Sequence, residues 1–89
     1  MMKTLDDFMA DLDSRGFKLD DEAIGFIYFG RKYTGASDQI VKTAIEATLK
    51  IQKRFDSSFY MSVLEELVKL KQSSRKDMIN HLKAKGMIL

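Results

Sequence analysis

Neither cysteine nor proline occurs in the 89 residues. Without cysteine there is no disulfide framework and no thiolate metal site. Without proline nothing forces a helix to break, so periodicity and capping residues must set the boundaries. Histidine is reduced to one residue, His81. No apolar run approaches the ~20 residues of a membrane span. The opening stretch, MMKTLDDFMADLD, is too acidic for a signal or transit peptide. The expectation is an intact cytoplasmic protein without a membrane segment.

What is present is globular in character. Hydrophobic residues make up 45% of the chain, and charges of both signs are mixed with them. A chain of this size buries roughly 60–65% of its unfolded surface, enough for one modest core. The formal charge of +2 is unevenly spread. Residues 1–30 hold three bases against seven acids, and residues 31–89 hold twelve bases against six acids. An acidic head on a basic body suggests polyanion binding or self-association.

Helix starts are well marked. Thr4, Ser37, Ser57 or Ser58, and Ser74 each precede an amphipathic stretch. Their hydroxyls can accept hydrogen bonds from the unpaired amides of a first turn. Asp7 and Asp77 stand three residues after Thr4 and Ser74, as shortened capping boxes. Gly16, Gly35 and Gly86 sit just past periodic stretches, where a left-handed cap favours glycine. These signals predict helices near 5–15, 21–34, 38–55, 58–72 and 75–85. The expected fold is all-α, a compact bundle of five short-to-medium helices forming a single domain over 1–89.

Projected at ~100° per residue, the third and fourth helices each carry an apolar arc of about 200°. Lys42 and Thr43 fall on the polar side of the third. Arcs this wide belong either to central helices or to helices that meet another chain. The stretches TLDDFMADLDSRGFKL (4–19) and SRKDMINHLKAKGMIL (74–89) also align without gaps at cap, acid, leucine and glycine. Two capped amphipathic helices ending in similar turns account for this echo; the alternative is a duplicated unit.

The segment GFIYFGRK (25–32) raises two motif questions. In the base-stacking strand of RNA-recognition folds the cation precedes the glycine, whereas Arg31 and Lys32 follow it here. A phosphate-binding loop fails because Arg31 intrudes before Lys32, Tyr33 before Thr34, and the intervening residues are bulky. A helix reading gains an acidic start at Asp20 to Glu22 and a basic end at Arg31 and Lys32. It places Ala23, Phe26, Ile27, Gly30 and Tyr33 on one face and Phe29 near Gly25 on the far side. The expectation is a largely buried helix, with a neighbour approaching closely at the two glycines.

Most charges follow the helix macrodipole, with acids at starts and bases at ends. Glu46–Lys50 and Glu65–Lys69 have the spacing of favourable pairs. Arg75 and Lys76 stand against the dipole. With Lys69 and Lys71 they form the candidate polyanion contact, around the turn KLKQSSRK. Catalysis finds little support. His81 lacks partners at triad spacing, adjacent carboxylates diverge by ~100° on a helix, and no His/Glu set has metal-ligand spacing. No cofactor is implied. The favoured reading is a small non-catalytic protein–protein interaction or regulatory module, self-associating as a homodimer or docking on another protein. Phe29, Phe59 and Tyr60 are the expected interface aromatics, each lying away from the centre of its helix's apolar face. The alternative is a nucleic-acid-binding protein using the basic turn 69–76 and the C-terminal helix.

Overall fold

The computed structural model describes residues 4–17, 19–70 and 74–88. Five helices follow one another: α1 (Leu5–Ser14), α2 (Asp21–Thr34), α3 (Asp38–Gln52), α4 (Ser57–Leu67) and α5 (Arg75–Ala84). No strand occurs among the described residues, and the architecture is the all-α bundle expected.

The hydroxyl caps of α1, α3 and α5 and the glycine ends of α1, α2 and α5 are where the sequence placed them. The Thr4 and Ser37 side chains accept from the backbone N–H of Asp7 and Ile40. On α5 the box closes in both directions: Ser74 Oγ accepts from Asp77 N–H at 3.1 Å, and Asp77 Oδ2 accepts from Ser74 N–H at 3.5 Å. At the far ends of α1 and α5 the chain turns left-handed at Gly16 (φ 95°) and Gly86 (φ 73°). Phe17 N–H then reaches back to Leu12 O, and Met87 N–H to Leu82 O, both at 2.9 Å. These are paired Schellman turns. Alanine at Gly16 or Gly86 is expected to cost ~1 kcal/mol through the steric penalty of positive φ. Urea denaturation of each variant measures it, and no loss at either site would contradict the capping role.

Three boundaries differ from expectation. The N-cap of α4 is Asp56, not a serine; its Oδ1 accepts from Phe59 N–H at 2.9 Å. Helix α3 stops at Gln52 because Lys53 adopts φ 67° and its N–H closes on Leu49 O. The stop frees Phe55 from the helix and lets its ring lie 5.3 Å from that of Tyr60. Helix α4 ends at Leu67, where Lys69 and Leu70 donate three residues back rather than four, tightening the last turn.

Helix α3 is the centre of the bundle, packing against all four others. From Val41 to Leu49 every residue but Glu46 is buried, Lys42, Thr43 and Thr48 included. Lys42 and Thr43, expected on a solvated side, are therefore covered. The two threonine hydroxyls donate to backbone carbonyls one turn back, Gln39 O and Ala44 O, which satisfies them inside the core. Helix α4 lies against α2, α3 and α5 through Tyr60, Val63, Leu64 and Leu67, a run at helical spacing. The centres of both wide apolar arcs are thus enclosed within one chain, with Ile40, Ile51, Phe59 and Met61 half-buried at their edges. Helix α1 contributes Leu5, Met9 and Leu12, and α5 contributes Met78 and Leu82. No helix among the described residues is long and apolar enough to cross a membrane.

Candidate functional site

Helix α2 carries apolar side chains on two sides, one turned to the core and one to solvent. Asp20 caps it, its Oδ1 accepting from Ala23 N–H at 2.8 Å, and Gly35 ends it in the left-handed conformation. The inner face holds the fully buried Ile27 and the buried Gly30. A Cβ on Gly30 would stand 3.0 Å from Tyr60 Cε2 and 3.1 Å from Leu64 Cδ2. The missing side chain is what lets α4 come this close. Tyr60, 0% exposed, lays its ring over the gap and donates its hydroxyl to Ile27 O at 2.9 Å. Burial pushes the phenol's pKa upward, so it stays a neutral donor.

The outer face is a different surface. Gly25 has no atom within 4 Å of where a Cβ would stand. The close approach expected there is absent within the chain. Phe29 is 58% exposed and Tyr33 69% exposed, and their rings stack at 5.7 Å and 15°. Phe26 meets Phe29 edge-on at 5.9 Å and Tyr60 at 6.2 Å, so a line of rings runs from core to solvent. The reading of α2 as largely buried is corrected by this face. Tyr33, expected on the inner side, stands instead in the last full turn, stacked on Phe29, with little of it covered.

The three expected interface aromatics are not brought together. Phe29 is at the surface. Tyr60 belongs to the chain's own core and offers no surface. Phe59 is half-buried against the core and makes none of the described ring contacts that link Phe29, Phe26 and Tyr60. Tyr33, which projection alone hid, is the exposed ring beside Phe29.

Two of the four cations of the basic turn are engaged. Lys69 Nζ lies 2.9 Å from Glu66 Oε2, and Arg75 reaches Glu46 Oε1 through Nη2 at 3.0 Å and Nε at 3.2 Å. The partners are thus Glu66 for Lys69, rather than Glu65, and Arg75 for Glu46. Lys76 is exposed with no ion pair among the described residues, and Lys71 lies outside them. Glu66 also receives His81 Nε2 at 3.0 Å and has Lys85 Nζ at 3.8 Å, so one carboxylate ties α4 to α5. The hydrogen bond from His81, then that from Lys69, holds the Glu66 carboxyl down to about 2 from its ordinary 4.5. A lowered pKa contributes stability above the unfolded value and loses it as pH falls through the folded one. Wild-type stability is therefore expected to decline between pH 4.5 and about 2, and Glu66→Gln to flatten that decline. Denaturant melts at a series of pH values check it, and identical acid profiles would remove Glu66 from the account.

Elsewhere a shallow cleft beside the start of α2 is lined by Asp20, Glu22, Phe26, Arg54 and Phe55. Asp20 is occupied in capping there. No group of three or more His, Asp or Glu residues able to hold a metal ion is found among the described residues.

No curated protein and no solved structure matches this chain. Its residues 1–88 match DUF6123, a family of unknown function, and with all but the final residue covered the chain belongs to that family.

Proposed function

We propose that the protein is a non-catalytic helical module that works by binding protein, in the first place itself, through the outer face of α2. One observation carries the reading: the stacked Phe29–Tyr33 pair, more than half exposed, beside the bare backbone of Gly25. Among the described residues Phe17, Phe29 and Tyr33 are the large hydrophobic ones left exposed, and two of these three share this face. Aromatic side chains are enriched in interface cores, where they bury much area for little entropy loss. The alternative of nucleic-acid binding through the basic turn has less support, because Lys69 and Arg75 are already paired with glutamates.

Light scattering at ~50–100 µM, well above a micromolar Kd, should give a mass above the 10.2 kDa of one chain. Phe29→Glu should return the mass to that of the monomer without loss of helical circular dichroism, since the side chain is exposed. A strictly monomeric wild type would overturn the reading. So would duplex binding that collapses with added salt and disappears in a Lys69/Arg75/Lys76 to Glu variant.

A further inference from the structure

We infer that the occupant of the α2 face is a second copy of the chain, docked antiparallel about a twofold axis at Phe29, with each Tyr33 ring seated over the partner's Gly25. The inference rests on the interaction reading above and specifies its geometry.

The first argument is the spacing. Gly25, Phe29 and Tyr33 are four residues apart in each direction, so they form one ridge along the helix surface. Ridges of this kind run parallel to one another when two helices cross near −50°, the commonest arrangement in globular proteins. An antiparallel twofold through Phe29 places Phe29 against its own copy. It also sets position 33 beside position 25 of the partner, on both sides of the axis. The largest exposed side chain of the ridge then meets its one missing side chain. Bump and hollow lie at equal distances from the centre, as a self-complementary surface requires.

The second argument is that Gly25 has no internal reason. Glycine inside a helix is destabilising relative to alanine. At Gly30 the closeness of Tyr60 explains it; at Gly25 nothing within the chain comes near. A neighbour arriving from outside supplies the missing reason.

The third argument is charge. Helix α2 begins with Asp21 and Glu22 and ends with Arg31 and Lys32. Glu22 and Lys32 are exposed on the same side as Phe29, and neither has an ion pair among the described residues. Antiparallel docking carries the acidic start of one α2 toward the basic end of the other and opposes the two helix dipoles. Parallel docking would bring like charges together. An unrelated partner protein would need none of this symmetry.

The absence of cysteine makes the test direct. Single variants Gly25→Cys, Phe29→Cys and Tyr33→Cys are made in the full chain and oxidised at ~100 µM, above a micromolar Kd. A disulfide needs Cα atoms about 4.4–6.8 Å apart. In the antiparallel seam positions 25 and 25 of the two copies are ~12 Å apart along the axis. Phe29→Cys should therefore cross-link with itself, and Gly25→Cys alone should not. An equimolar mixture of Gly25→Cys and Tyr33→Cys chains should give the mixed dimer. Gly25→Leu provides a second arm. Filling the hollow should raise the dimer Kd about tenfold or more, an effect of ~1.4 kcal/mol per decade. In dilute solution the same change should raise the melting temperature, because leucine favours helix. Self-cross-linking of Gly25→Cys, or a dimer unaffected by Gly25→Leu, would overturn the antiparallel seam while leaving self-association standing. A wild type that stays monomeric removes both.

Discussion

Tyr60→Ala is expected to cost about 3–5 kcal/mol, in the range measured for large aromatics truncated in cores. A domain of this length has only about 5–13 kcal/mol in total at typical stabilities per residue. The variant should therefore be marginal at room temperature. The reason lies in how much converges on the ring: Phe26 and Phe55 pack against it, Gly30 is vacant to receive it, and its hydroxyl bonds Ile27 O. Tyr60→Phe removes the hydroxyl alone and should cost about 1 kcal/mol. Urea titrations compare the two. Equal losses would mean that the hydrogen bond dominates, and a loss below ~1 kcal/mol for alanine would mean that the ring is not the keystone of α2 on α4.

Gly30→Val is expected to destabilise by about 2–3 kcal/mol, near the top of the usual range for overpacking. A Cβ at this site already sits 3.0 Å from Tyr60 and 3.1 Å from Leu64, both fully buried, and two further methyl groups must force one of them aside. Gly25→Ala supplies the contrast. It meets open space and should stabilise the isolated chain by up to ~1 kcal/mol through helix propensity. Thermal melts of dilute protein give the comparison. Similar effects at the two glycines would mean that α2 and α4 do not approach at Gly30.

Local signals were legible in the sequence, and tertiary ones mostly were not. A cap is a contact between residues three to five apart, so Thr4, Ser37, Ser74 and the terminal glycines announced helix ends without knowledge of the fold. The end of α3 was missed because lysine, not glycine, takes the left-handed position, and nothing in its side chain advertises that. Helical projection could not separate the two glycines of α2: a close neighbour was expected at both, and only Gly30 has one within the chain. Nor could it tell that Tyr60 would be the covering group. A wide apolar arc has the same appearance whether three helices of one chain enclose it or a second chain does. Tyr33 failed for a related reason: projection gives its angle on the helix but not whether α4 extends that far. Phe29, opposite the inner face, was legible as a surface residue because no arrangement of a half-covered helix buries both sides.

The likeness between the two end segments has a consequence for how the folded chain opens. Helices α1 and α5 are each ten residues long, with hydroxyl caps and matching glycine turns. Their intrinsic tendencies to form are therefore similar. Yet α1 packs against α3 alone among the helices, whereas α5 is held by both α3 and α4 and pinned through Glu66. Opening free energy follows such tertiary hold more than local preference. The N-terminal helix can detach and leave the α2–α4 contact and the Phe29 face intact. Detaching the C-terminal one strips cover from both central helices. The amides of α1 should accordingly exchange with solvent through a partial excursion, and those of α5 through one closer to global unfolding.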